Sequence, residues 1–262
     1  MAKYNFKIGI MLDSLRLPVD EALAEAHRLG AEGIQVYCVG GDLHPDRLTG
    51  QARQDFLAKV RDNGLVISAW CGELGGFVVD RPEAEHRVSE TLKFLELTAA
   101  TGIKVLTAHV GSFRGQPQDK VDNCRWALEQ VGKRAEKLGV TFATETGAEP
   151  ADELRTFLDD LGQPGLGVNY DPANLVMKGW DHLEGVKVLR DYVVHTHAKD
   201  GLFGQGKEVA LGDGDVDFPG WVANLNAIGF HGFLAIEREV GENPSADIAR
   251  AIGFLQKLRS GK

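Results

Sequence analysis

The chain has 262 residues, 43% of them hydrophobic and 26% charged, the composition of an ordinary globular protein long enough for one closed α/β barrel or two smaller domains. A formal net charge of −9 repels phosphate backbones and sets nucleic acid aside as a partner. No apolar run approaches the roughly 20 residues that cross a bilayer, and Cys38, Cys71 and Cys124 are odd in number without C-x-x-C spacing. These features, with an N-terminal stretch that lacks a signal-peptide core, lead us to expect a soluble cytoplasmic protein with reduced thiols.

The chain then reads as a repeated rhythm. Phe6–Met11 is a first apolar run, and Pro18 opens a helix carrying Val19, Leu23, Ala26 and Leu29, stopped by Gly30. Gly33–Cys38 is a second strand, followed by a helix over about 50–63. Leu65–Trp70 is a third, followed by a helix over about 82–101. Lys104–His109 is a fourth, with a helix ending at Gly139. Val140–Glu145 is a fifth, with a short helix over about 151–161. Leu166–Asp171 is a sixth, with a helix near 180–190. The seventh runs from Tyr192 into His195-Thr196-His197-Ala198-Lys199-Asp200. A glycine-rich loop over about 201–216 follows, then a helix carrying Phe218, Trp221, Leu225 and Ile228. Gly232–Glu237 is the eighth strand, and a last helix carries Ile248, Ile252, Leu255 and Leu258.

Eight strands alternate with helices at about 30 residues per unit, the size of a βα repeat. With right-handed crossovers this predicts a single (β/α)8 barrel domain over residues 1–262, an open doubly wound sheet being the alternative. In such a barrel the C-terminal strand ends meet around one pocket. Four successive strands end in metal-ligand types: Glu145, Asp171, His197 and Glu237, spaced 26, 26 and 40 residues apart. Three carboxylates and one imidazole form a hard, oxygen-rich set that suits one divalent ion, Mn²⁺ or Mg²⁺ first, Co²⁺ or Zn²⁺ next. A cation holding a carbonyl and the adjacent hydroxyl acidifies the C–H between them by stabilising the enediolate, and Glu145 and Glu237 are placed to take and return the proton. Depending on where the proton returns, the outcome is epimerisation, isomerisation or dehydration.

Other residues are assigned supporting places. His109 ends its strand and is expected in the pocket as a substrate hydrogen-bond donor or relay. Trp70 is expected either as a wall on which a sugar stacks or as core packing. Lys199 is expected to hold a substrate oxygen or to pair with Glu145 or Asp200, and His195, two residues before His197, to sit one layer down in a supporting role. Gly201 to Lys207 half-matches a phosphate-binding loop but has Glu208 in place of Ser or Thr. Asp213, Asp215 and Asp217 mimic a Ca²⁺ loop but are followed by Phe218 where glycine is required. Both motifs are rejected, and Asp217 is read as a helix cap.

The pieces Thr107-Ala108-His109-Val110-Gly111, Ala143-Thr144-Glu145, Val168-Asn169-Tyr170-Asp171-Pro172-Ala173-Asn174, His195 to Asp200, Gly212 to Phe218 and Ala235-Ile236-Glu237-Arg238-Glu239 resemble the xylose-isomerase-like superfamily of TIM barrels. This sugar phosphate isomerase/epimerase group includes ketose 3-epimerases, hydroxypyruvate isomerase, inosose dehydratase and endonuclease IV. The resemblance implies Glu145, Asp171, His197 and Glu237 as metal ligands, with Glu145 and Glu237 as the acid/base pair. It also implies Asn174 as a substrate contact. Asn174 stands where ketose 3-epimerases carry histidine, Ala151 where they carry a second glutamate, and Lys199-Asp200 form a different loop after the metal histidine. The expected substrate is a small sugar, keto-sugar or polyol. A lyase acting on a keto-inositol or 3-keto-glycoside is the first alternative, and a non-catalytic sugar-binding subunit the second. No nucleic acid or membrane partner is expected, and a homo-oligomer fits the reading.

Overall fold

The structure is a computed structural model that describes residues 3–261, so Met1, Ala2 and Lys262 of the expected domain lie outside the described residues. Its barrel strands are β1 (Lys7–Met11), β2 (Gly33–Tyr37), β3 (Val66–Cys71), β4 (Val105–Ala108), β5 (Thr141–Glu145), β6 (Leu166–Tyr170), β7 (Val193–Ala198) and β10 (Phe233–Ile236). They pair in parallel around a closed ring in the order β1-β10-β7-β6-β5-β4-β3-β2. The strands are short, nearly wholly buried and rich in Val, Ile, Leu and Ala, as parallel strands covered on both faces must be. The open-sheet alternative is excluded by the β1–β10 pairing that closes the ring.

The outer helices are α1 (Val19–Leu29), α2 (Gly50–Asp62), α3 (Arg81–Ala100), α4 (Gln118–Leu138), α5 (Ala151–Leu161), α6 (Pro172–Met177), α7 (His182–Val188), α8 (Phe218–Ala227) and α9 (Pro244–Ser260). Two connections differ from the sequence reading. After β6 there are two short helices, α6 and α7, rather than one, because Asp171 caps α6 directly at the strand end and Gly179 breaks the run at φ 79°. The glycine-rich loop carries a small antiparallel hairpin, β8 (Asp200–Leu202) and β9 (Lys207–Val209). Asp217 caps α8 by accepting from Gly220 N.

The barrel interior is layered. Phe233 fills the floor against Gly9 and Gly33, where a Cβ would meet its ring at 3.2 and 2.5 Å. Ala69, Val105 and Ala143 form a small apolar plug. Buried polar residues stand on β2, β4, β6 and β7: Gln35, Thr107, Asn169 and His195. No helix of the described residues is long and apolar enough to cross a membrane, and the three cysteines are free and buried.

Candidate metal centre

The polar strand ends converge. Glu145 is the last residue of β5, His197 lies near the end of β7, and Asp171 and Glu237 each stand one residue beyond β6 and β10. One ligand atom from each lies within 4.8 Å of all the others, and all four residues are buried. His197 Nδ1 is 3.5 Å from Glu145 Oε1, 3.7 Å from Asp171 Oδ2 and 3.3 Å from Glu237 Oε2. Asp171 does two things at once. Its Oδ1 caps α6 by accepting from Ala173 N (2.8 Å) and Asn174 N (3.1 Å), while Oδ2 is turned inward.

A polar chain from the opposite side of the barrel sets which nitrogen of His197 is free. Thr107 Oγ1 donates to the Trp70 carbonyl (3.3 Å), so it accepts from Gln35 Nε2 (2.7 Å). Gln35 therefore presents Oε1 to His197 Nε2 at 2.9 Å, and only a protonated Nε2 can donate there. That leaves Nδ1 facing the cluster, where a metal would displace its proton, the way a partner on one ring nitrogen fixes the other for a metal. Asn169 completes the support. Its Oδ1 accepts from His195 Nδ1 (2.9 Å), which directs Nδ2 to Glu145 Oε2 (3.2 Å), with His197 Nε2 3.1 Å away. His195 is thus one layer down. Burial, then the His197 charge, hold its pKa down at about 3, so it is neutral. Its Nε2 lies 3.1 Å from Ser68 Oγ, which also reaches the Ile34 carbonyl at 3.1 Å.

Two register steps aim these amides. Between Ile34 and Gln35 the pairing with β3 skips Ser68, and between Val168 and Asn169 the pairing with β7 skips Val194. Such an extra residue bends the strand and redirects the side chain beside it. Both steps fall immediately before an amide that reaches His197. Sequence reasoning missed Gln35, Thr107 and Asn169 as parts of the site. The only signal was a neutral amide or hydroxyl inside an apolar strand, where packing alone would select a hydrophobe.

The donor set fits a cation. Three carboxylates this close repel one another by roughly 4 kcal/mol per pair at about 4 Å and an effective dielectric near 20. Asp171 Oδ2 and His197 Nδ1 are buried with no hydrogen-bond partner among the described residues, and both face the centre of the cluster. Burial pushes the Asp171 carboxyl up. For Glu145 and Glu237 burial acts the same way but is outweighed: His197 and His109 bring Glu145 down, and His197 and Lys199 bring Glu237 down. Burial opposes a proton on His197, but Glu237 and Glu145 hold it well above the ordinary range, so the imidazolium takes the place a metal cation would fill.

Around this cluster the remaining candidates divide. His109 stands at the mouth, its side chain 47% exposed, with Nε2 3.6 Å from Glu145 Oε1. Glu73, absent from the sequence reading, accepts from both His109 N (2.7 Å) and His109 Nδ1 (2.9 Å). The Glu145 charge, then the hydrogen bond to Glu73, raise His109 to about 9 against the effect of burial. Asn174 Nδ2 donates to Glu145 Oε1 (2.8 Å) and to the Thr146 carbonyl (3.2 Å). It packs on Gly147, where φ is 115° and a Cβ would lie 2.2 Å from the Asn174 Cβ. His109, Asn174, Thr146 and Lys178 border a cavity of 290 Å³.

Two expectations are corrected. Trp70 does not wall the pocket. Its side chain points outward between the barrel and the helices, donating to Thr101 Oγ1 (3.0 Å) with its ring 5.8 Å from Phe56, because the period-two alternation of β3 turns its neighbours Ala69 and Cys71 inward instead. Lys199 pairs with neither Glu145 nor Asp200, and its ammonium is not open to substrate. It is 3% exposed and donates to Glu237 Oε2 (2.9 Å) and to Glu239. Asp200 is used elsewhere, accepting backbone N–H groups from Gly201, Gly212, Gly214 and Val216 and so tying down the glycine-rich loop.

A closed parallel barrel with a buried Glu–Asp–His–Glu cluster at its C-terminal mouth defines a class, the TIM barrels with a candidate metal centre. The model of the xylose isomerase-like TIM barrel family matches residues 23–258, and the chain belongs to that family. The solved xylose isomerase domain protein from Planctomyces limnophilus superposes with a TM-score of 0.83 at 28% identity, covering 98% of each chain. The L-ribulose-5-phosphate 3-epimerase UlaE of Salmonella paratyphi C is 27% identical over 174 residues, 63% of this chain and 61% of that enzyme. The inosose dehydratase of Lactiplantibacillus plantarum is 26% identical over 139 residues, 45% of this chain and 46% of that enzyme.

Proposed function

We propose that this protein is a divalent-metal-dependent isomerase or epimerase of a small sugar, keto-sugar or polyol, with Glu145, Asp171, His197 and Glu237 as metal ligands. The observation that carries this reading is the pair of unpartnered buried atoms, Asp171 Oδ2 and His197 Nδ1, facing one point between two glutamates. Mn²⁺ or Mg²⁺ suits a set of three carboxylates and one imidazole. Bound there, the ion would supply the Lewis acidity that polarises a substrate carbonyl and makes the adjacent C–H acidic.

The side chains then divide the proton work. Glu145 is held at both oxygens, by Asn174 at Oε1 and by Asn169 at Oε2. Glu237 is held only at Oε2, by Lys199, and its Oε1 takes no hydrogen bond among the described residues. Glu237 Oε1 is therefore the better placed to accept the substrate proton, and Lys199 steadies the carboxylate while it does so. Glu145 is the candidate for the return step on the other side.

A second reading has its own observation. Glu73 and Glu145 keep His109 protonated at the mouth of the site. A protonated imidazole there can donate to a departing β-hydroxyl, which turns the same proton abstraction into a dehydration. The two relatives above are an epimerase and a dehydratase, whose names describe these two outcomes.

One experiment tests both. The metal-loaded protein is incubated with ketoses, keto-inositols and 3-keto-glycosides in D₂O, and product and deuterated carbon are read by NMR. Glu237→Gln is expected to slow solvent-proton exchange at that carbon by roughly 10²–10⁴-fold. Undiminished exchange would remove Glu237 from the reaction. Retention of every hydroxyl in the product supports the isomerase or epimerase, and loss of water the lyase.

A further inference from the structure

A larger space, lined by none of the four cluster residues, is not used by the proton chemistry. A cleft of 780 Å³ opens between the start of α1, the β2–α2 loop and α2. This volume falls within the roughly 300–1,000 Å³ of small-molecule sites. Tyr37, Val39, Leu43, Leu48 and Phe56 give it an apolar wall. Its charged lining residues are Asp13, Asp20, Asp42 and Asp55 against the lone Lys59, and Lys59 Nζ is already bound by Asp20 at 2.7 and 2.8 Å. Four carboxylates and one neutralised ammonium repel a phosphate or carboxylate ligand.

Tyr37 joins this cleft to the metal centre. Gln35 touches the His197 ring, and Tyr37 lies two residues further along β2, so it stands on the same inward face one step nearer the mouth. Its backbone N–H donates to Asp13 Oδ2 at 3.4 Å, which ties the cleft's first carboxylate to the same strand end. Burial, then the charges of Cys71, Glu237 and Glu145, push the Tyr37 phenol up, as expected for a hydroxyl within electrostatic reach of the ligand carboxylates.

We propose that the cleft is a second substrate subsite that holds an uncharged ring attached to the reacting sugar, so that the substrate is a glycoside rather than a free or phosphorylated monosaccharide. The reacting ring sits at the Glu145–Asp171–His197–Glu237 cluster, Tyr37, at the end of the strand that carries Gln35, stands between it and the cleft, and Val39, Leu43, Leu48 and Phe56 cover the second ring. The carboxylates at the rim accept hydrogen bonds from its hydroxyls. This deepens the sugar-enzyme reading above and rests on it.

The test uses binding rather than turnover, so that it stands apart from the metal assignment. Phenyl and methyl glycosides of D-glucose, D-galactose and D-xylose, with glucose 6-phosphate beside them, are titrated against the native protein by saturation-transfer NMR. Mn²⁺ binding is measured by EPR in the same samples and reports on the metal reading alone. At least one phenyl glycoside is expected to bind about 10-fold tighter than its methyl counterpart, and glucose 6-phosphate no tighter than the methyl glycosides. Ala52 lines the cleft from the exposed face of α2, so Ala52→Trp fills it without disturbing the core. That variant should bring the phenyl glycoside down to the methyl level and leave Mn²⁺ binding unchanged. Equal binding of phenyl and methyl glycosides across the panel, or no effect of Ala52→Trp, overturns the proposal. A change of oligomeric state in Ala52→Trp with glycoside binding intact makes the cleft an interface and also overturns it.

Discussion

The barrel divides into two contiguous arcs with different work. β5, β6, β7 and β10 stand side by side and supply the whole cluster of Glu145, Asp171, His197 and Glu237. β1 to β4 supply none of it. Their contributions to the cluster are neutral, Gln35 and Thr107, and their one charged pair near it, His109 with Glu73, stands at the mouth. The ligand arc brings together groups that repel each other and holds its carboxylates through its own Asn169, Asn174 and Lys199, while the opposite arc aims the His197 ring through Gln35. A buried carboxylate is tolerated only where something holds it, and a ring nitrogen is free only where the other nitrogen is engaged.

Breaking the ligand arc should have the largest effect. Asp171→Asn keeps an oxygen to cap α6 but loses the charge facing the cluster. We expect Mn²⁺ affinity, read by EPR titration, to fall by at least about 100-fold with little change in Tm. Asp171→Ala should lose the metal equally and add the cost of a lost helix cap, about 1 kcal/mol. Retained stoichiometric Mn²⁺ in either variant would place the site elsewhere.

Breaking the aiming arc should cost less. Gln35→Leu removes the acceptor on His197 Nε2 and should weaken Mn²⁺ binding by roughly 10–100-fold. Gln35→Glu, which keeps an acceptor there, should recover part of the loss. Equal affinity in Gln35→Leu and the native protein would show that the two arcs are not coupled through this ring.

The smallest effects are titrations, and they sharpen the comparison at the mouth. In the metal-free protein the carboxylates keep a proton on His197, so metal must displace it. Affinity should therefore weaken as the pH falls, with proton release on binding seen by calorimetry in buffers of different ionisation enthalpy. His109 titrates at about 9 chiefly because of the Glu145 charge. Mg²⁺ on Glu145 cancels that charge, so the His109 imidazole resonances should titrate at lower pH in the loaded protein. An unshifted titration would separate His109 from the centre.

Much of this was legible in the sequence because it is written locally. Apolar runs at βα spacing announced the barrel, and Glu145, Asp171, His197 and Glu237 were conspicuous because nothing in packing asks for a charge at the end of such a run. His195 was placed one layer down by the two-residue period alone. The same rule failed to settle Trp70, since a strand end with an aromatic looks alike whether it faces the pocket or the helices. The partners of Lys199 are not legible locally because Glu237 and Glu239 lie 38 and 40 residues away, beyond the end of another strand. Glu73 and the 172–177 helix were hidden in loops whose composition points to no single conformation.

The sequence by itself determined the class of the fold, the end of the barrel where the polar strand ends gather and the four residues that meet there. These follow from periodicity and from which strand ends turn polar, and both are properties of neighbouring residues. Only the tertiary structure decided how the four are held. The hydrogen bonds from Gln35 and Asn169 depend on register steps opposite Ser68 and Val194. A register step is a relation between two strands, so no single stretch of chain contains it.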